Sequence, residues 1–127
     1  MTRHIISTEN APSSPLYSQG VRAGSVIAVS GTVGIDPATG AVAGPSIQDQ
    51  TRRALLNCEA VLLAGGATLA DVTMVTVLLA RPEDFAGMNE AYSAVFSDAP
   101  PARAVARLGP DLPGLLVSIA MTAHTGD

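Results

Sequence analysis

Arg103 stands in the run Pro100-Pro101-Ala102-Arg103-Ala104-Val105, a single charge among proline, alanine and valine. A guanidinium does not shed its proton, and its planar fork grips a carboxylate through two parallel hydrogen bonds. At an apolar strand start such a group calls for an anion, and a small-molecule acid is the first candidate. A solvated surface arginine or a structural salt bridge is the competing reading of the local sequence. Arg107 follows on the same strand at an even spacing, so the two share a face. For Arg107 an interface or surface charge is expected, not a second clamp.

Other chemistries find few residues to work with. The chain has seven arginines and no lysine. That excludes a Schiff-base lysine, a pyridoxal phosphate lysine and a P-loop lysine. His4 and His124 sit at opposite ends and Cys58 stands alone, so no zinc spacing exists, and neither a metal nor a cofactor is expected. A net charge of −4, a pI near 4.9 and no basic cluster beyond Arg52-Arg53 disfavour nucleic acid as a partner. A single cysteine rules out an internal disulfide. No apolar run approaches the roughly 20 residues of a membrane span, and Arg3-His4 is not followed by a signal-peptide core. A cytoplasmic protein with no membrane association is therefore expected.

The elements that must position these residues follow from pattern. At 127 residues, 47% of them hydrophobic, one domain over residues 1–127 with a real core is expected. A short strand at about residues 3–6 precedes the breaker Asn10-Ala11-Pro12-Ser13-Ser14-Pro15. Tyr17 to Arg22 and Ser25 to Ser30 read as strands joined by a tight turn at Ala23-Gly24, the second one apolar enough to be buried on both faces. Asp36-Pro37-Ala38-Thr39-Gly40 reads as a turn.

Ser46 opens a helix with Asp49 as its capping-box partner, and Gly65-Gly66 closes it. Its inward stripe is Ile47, Thr51, Ala54, Leu55, Cys58, Val61 and Leu62, which makes Cys58 a buried structural thiol. Val72 to Leu79 is a strand. A second helix starts at Pro82-Glu83-Asp84 with Phe85, Met88, Tyr92 and Phe96 facing the core. Ala102 to Leu108 and Leu115 to Ala123 are closing strands around the loop Gly109 to Gly114. The order predicts a two-layer α+β domain, a six-stranded sheet with two helices on one face. Val26, Val29, Val75, Val77 and Leu115 to Val117 read as more apolar surface than two helices can cover. Self-association through the open sheet face into a closed symmetric oligomer is therefore expected.

Several segments in order resemble the RidA family (YjgF/L-PSP, the enamine/imine deaminases). They are Thr8-Glu9-Asn10-Ala11-Pro12, Tyr17-Ser18-Gln19-Gly20, Val29-Ser30-Gly31, Asp36-Pro37 with Thr39-Gly40, Met88-Asn89-Glu90-Ala91-Tyr92, and Pro101-Ala102-Arg103. The resemblance spans nearly the whole chain. It implies a chorismate-mutase-like α+β fold with a mixed sheet, and a homotrimer whose sheets form an inner barrel with three clefts between subunits. It further implies that Arg103 clamps the carboxylate of a 2-imino acid, and that Tyr17 walls the cleft from a neighbouring subunit. Ser30 and Gly31 would face the ligand through backbone, Asn89 would lie close by, and the Val105 carbonyl would help place a water.

The same resemblance carries two departures. Family members place a Cys, Thr or similar residue where this chain has Val105. The deaminases carry a water-holding glutamate in the last strand, and a gapless count from Arg103 puts Ser118 there. No Asp or Glu lies between Leu112 and Thr125 to replace it. Serine does not substitute for a carboxylate near neutral pH.

Two functions are thus expected. The first is hydrolysis of reactive 2-imino or enamine acids such as 2-aminoacrylate to 2-keto acids and ammonia, with Arg103, Tyr17 and Ser118 as the catalytic set. The alternative is a non-canonical member that binds a small carboxylate or acts on another substrate. Nucleic-acid cleavage, attached to some family names, is disfavoured by the acidic balance and by the lack of a base-plus-nucleophile pair.

Overall fold

The computed structural model describes residues 2–126. Six strands and two α-helices alternate along it: β1 (Arg3–Ile6), β2 (Gly20–Ala23), β3 (Val26–Val33), α1 (Ile47–Ala64), β4 (Val72–Leu79), α2 (Phe85–Val95), β5 (Ala102–Arg107) and β6 (Val117–His124). Short 3-10 turns, Leu69–Asp71 and Pro82–Asp84, lead into β4 and α2. The strands make one mixed sheet in the order β1-β2-β3-β6-β4-β5, with β4 and β5 parallel and every other pair antiparallel.

Local chemistry explains the boundaries. The β2–β3 turn falls at Gly24-Ser25, one residue later than expected, because Gly24 takes the left-handed φ of +60° that a tight turn demands. The Asp36 carboxylate accepts from the Ala38 N–H and its carbonyl accepts from Gly40, whose φ is +74°. The Ser46 hydroxyl caps α1 by accepting from the Asp49 N–H at 3.1 Å. The reciprocal half of the expected capping box is missing, since the Asp49 carboxylate accepts from Arg52 at 2.8 Å instead. All seven residues expected on the α1 stripe are buried. On α2, Met88, Tyr92 and Phe96 are buried but Phe85 is 46% exposed, a departure with consequences for the site.

The register corrects the expectation about the apolar surplus. Val29, Val75, Val77 and Val117 are at most 3% exposed, on the face the helices cover. β3 alternates between faces and is not buried on both. The uncovered face carries a mix of small and apolar residues: Val26, Ala28, Met74, Thr76, Leu78 and Ala120. Residues opposite one another in the ladder share a face, so Ala102, Ala104 and Ala106 of β5 join it.

Candidate active site

Two groups of residues gather the expected site positions, and they do not meet within one chain. The first lies along β5 and α2. Val75, fully buried, pairs with Arg103, so the Arg103 side chain points to the helix side of the sheet. There its Nη1 donates to Asn89 Oδ1 at 2.7 Å. The guanidinium carbon stands 4.8 Å from the Tyr92 ring centre and 6.0 Å from that of Phe85.

Phe85, Asn89 and Tyr92 are four and three residues apart, so one helix face presents all three. The aromatic rings favour a cation above them, and the amide holds one edge of the fork. Among the described residues the ion pairs are Arg52–Asp49 and Arg81–Asp84, so Arg103 has no carboxylate partner. Its remaining N–H groups are oriented and uncommitted. Burial pushes the Tyr92 phenol up, partly offset by the Arg103 charge. The Tyr92 hydroxyl is buried without a hydrogen-bond partner, and its ring forms the platform under the Arg103 guanidinium.

The second group lies at the β3–β6 ladder. Val29 pairs with Met121 but Thr32 with Ile119, so Ser30 and Gly31 together oppose Ala120 in a β-bulge. Bulges re-aim the chain beside binding sites. The Ser30 N–H donates to the Gln19 carbonyl at 3.0 Å, and its hydroxyl donates to the Ser18 carbonyl at 2.5 Å. Ser118 is 8% exposed, and a Cβ built on Gly31 would stand 2.9 Å from its Oγ, so only glycine leaves this hydroxyl undisturbed. Tyr17, half exposed, lines a narrow pocket with Ser30, Gly31, Pro12 and Gln19.

Gln19 is the residue that sequence reasoning missed. Its side chain is buried and closes four hydrogen bonds. It accepts from the Thr8 N–H at 2.7 Å and donates to the carbonyls of Thr8, Ala11 and Pro12 at 2.9–3.0 Å. The β1–β2 connection that carries Tyr17 is thereby folded back on itself. A lone amide in a segment of small residues was the available signal.

Register keeps the two groups apart. Ser118 pairs with Leu78, which pairs with Ala106, on the uncovered face. Arg103 and Val105 point the other way. Gly31 and Arg103 belong to strands three steps apart in the sheet, about 14 Å. Val105 is half-buried against the core, where its side chain helps line a recess with Phe85 and Arg107. β5 is an edge strand, so a row of its backbone groups faces outward.

Cys58 is fully buried, its thiol pushed up to about 12 by desolvation, which leaves it inert as a nucleophile. Among the described residues no three His, Cys, Asp or Glu side chains gather as metal ligands, and no helix is long and apolar enough to cross a membrane.

Comparison with known proteins gives a consistent picture. The family model described as Endoribonuclease L-PSP matches residues 8–125. A RutC family protein of Pyrococcus horikoshii is 42% identical over 127 aligned positions, covering 96% of this chain and 98% of its own. The 2-iminobutanoate/2-iminopropanoate deaminase of Mus musculus is 36% identical over 125 positions, covering 98% of this chain and 93% of its own. The crystal structure of E. coli TdcF with bound serine superposes with a TM-score of 0.90 at 31% identity, covering 97% of this chain and 99% of that one.

Proposed function

The chain belongs to the endoribonuclease L-PSP family, the RidA family, and on that premise we propose that it hydrolyses 2-imino acids to 2-keto acids and ammonia in clefts between subunits. The observation that carries this reading is the Arg103 fork, held at one edge by Asn89 above Tyr92 and without a carboxylate partner among the described residues. That relatives are named as imine deaminases, and that a structural neighbour holds a serine, supports a small amino-acid-like carboxylate as the ligand.

The separation of the two groups supports a site shared between copies, and the family resemblance supports a homotrimer. Arg103 and Asn89 of one copy meet Tyr17, Ser30, Gly31 and Ser118 of the next around a ring of three. The uncovered faces, rich in alanine and threonine with Met74 and Leu78, line the inside of that ring. In this arrangement Arg103 takes the substrate carboxylate, which fixes the imine carbon without any change in protonation. The exposed backbone at the Ser30-Gly31 bulge and the Tyr17 hydroxyl receive the other end. Water adds to the imine carbon and one of its protons passes to the nitrogen, giving a carbinolamine. The hydroxyl proton then passes to the nitrogen as the C=O bond forms and the C–N bond breaks, releasing ammonia and the keto acid. Positioning supplies most of what such an electrophile needs.

Ser118 favours a second reading. A hydroxyl against Gly31 can hold a water by hydrogen bonding but does not take up its proton near pH 7. A copy that binds the carboxylate and turns it over slowly, or acts on another substrate, fits that replacement.

The test is to generate 2-aminoacrylate with a dehydratase and follow its decay. Wild-type protein should accelerate the decay and Arg103→Ala should not. Equal rates for the two would remove the deaminase reading. Calorimetric binding of 2-oxobutyrate by the wild type, without imine turnover, would establish the second reading instead.

A further inference from the structure

The recess lined by Leu79, Pro82, Phe85, Val105 and Arg107, about 390 Å³, lies beside Arg103 on the helix side of β5, and none of the steps above uses it. Arg103 and Arg107 both turn to this side, because they pair with the core residues Val75 and Leu79. Their Cα atoms lie about 13 Å apart along the strand. Phe85 links them. Its half-exposed ring is 6.0 Å from the Arg103 guanidinium and also walls the recess that Arg107 rims.

Arg107, like Arg103, lacks a carboxylate partner among the described residues. Neighbouring Arg81 is spent on Asp84 through two hydrogen bonds of 2.9 and 3.1 Å. Arg107 makes no ion pair within 4.0 Å among the described residues. Asp111 lines the next groove along with Arg107 but stands outside that distance. The lining between the two arginines is apolar, from the Val105 side chain to the Phe85 ring. Methylene groups suit such a lining, and an anion suits its far rim. Both side chains project to the same side of the strand, so their guanidinium groups keep about the separation of their Cα atoms. A contact of about 4 Å at each end leaves about 5 Å, the length of a five-carbon diacid.

We propose that the site takes 2-imino acids with a second, distal carboxylate, Arg103 holding the carboxylate next to the imine and Arg107 the distal one. This inference rests on the deaminase reading for the role of Arg103 and adds the substrate class. It also revises the expectation that Arg107 is only a surface or interface charge.

Calorimetry on the intact protein tests it with keto-acid products as probes. 2-Oxoglutarate should bind about tenfold more tightly than 2-oxobutyrate, the margin of one charge-assisted contact. Arg107→Ala should remove that margin and leave 2-oxobutyrate unchanged, while Arg103→Ala should weaken both. Arg107→Lys, which keeps the charge, should retain part of the margin. Equal affinities in the wild type, or an Arg107→Ala loss shared by both probes, would overturn the proposal and leave the role of Arg103 standing. Binding of both probes untouched by Arg103→Ala would instead remove the underlying reading, and this inference with it.

Discussion

Arg103 and Ser118 stand on opposite faces of one sheet, two strands apart. No rotamer brings their side chains to one small molecule within a single copy. In the proposed assembly a ligand that touches both lies between copies, its anion clamp drawn from one chain and its bulge from another.

Subunit mixing tests that division. Arg103→Ala removes the clamp, and Tyr17→Asp places a repelling carboxylate on the other side, at a half-exposed residue where the fold tolerates it. Each variant alone should be inactive. In a head-to-tail ring assembled from a one-to-one mixture, roughly a quarter of the clefts join two unaltered halves. Coexpression should therefore recover about that fraction of wild-type imine hydrolysis, whereas a site contained in one chain gives no recovery.

Asn89 positions the fork of Arg103 through one hydrogen bond. Asn89→Asp would give Arg103 a carboxylate of its own, in competition with the ligand. An exposed ion pair is worth up to about 1 kcal/mol, so 2-oxobutyrate should bind roughly fivefold more weakly than to wild type. Asn89→Ala, which loosens the fork without occupying it, should cost less. Calorimetry that ranks the two variants in the opposite order would reject this role.

Gly31 and Ser118 form a coupled pair. Gly31→Ala brings a Cβ to 2.9 Å from the Ser118 hydroxyl and should destabilise by about 1–3 kcal/mol. Ser118→Ala removes that oxygen and should return part of the loss, a non-additivity of about 0.5 kcal/mol or more in urea unfolding. Additive effects would show that the bulge relaxes freely. For chemistry the informative change is Ser118→Glu in the Gly31 background. Restoring a water-holding carboxylate should raise imine hydrolysis, up to about 10²-fold if proton handling is what limits it.

Cys58 predicts an alkaline weakness. Its folded pKa is raised by burial from 9.0 to about 12. Below about pH 9 the thiol is protonated in both states and contributes no pH dependence. Between about 9 and 12 the unfolded chain gives up a proton that the folded chain keeps, so stability falls as pH rises, by at most about 1.4 kcal/mol per pH unit. Urea unfolding at pH 8 and pH 10.5 should show a smaller fall for Cys58→Ala than for wild type. Identical falls would assign the effect to other groups.

What the sequence made legible is what period and capping control. The α1 stripe, the Ser46 cap, the Asp36–Gly40 turn and the glycines closing α1 each depend on residues within a few positions of one another. Arg103 was visible because its charge clashes with its neighbours in composition. Features set by register were not visible. Val75 and Val77 read as surplus for an open face, and only their pairing with Arg103 and Val105 shows them under the helices. The bulge at Ser30-Gly31 is one extra residue in a ladder, and the apolar run Val26 to Val29 gives no sign of it. Phe85 has the spacing of a core residue, yet the half that stays exposed forms a shelf for Arg103.

β6 lies between β3 and β4, at the centre of the sheet, although it is synthesised after the other five strands. Without it the strands form two separate ladders, a β1-β2-β3 meander and a parallel β4-β5 pair, each with a bare apolar edge. Val29 and Ile27 on one side, and Val75 and Val77 on the other, then wait for Met121, Ala123 and Ile119. Completion of the sheet thus depends on contacts far apart in sequence, a slow class of topology. A nascent chain stalled before Val117 should be a client for chaperones, and a truncation there should yield insoluble protein and not a smaller folded domain.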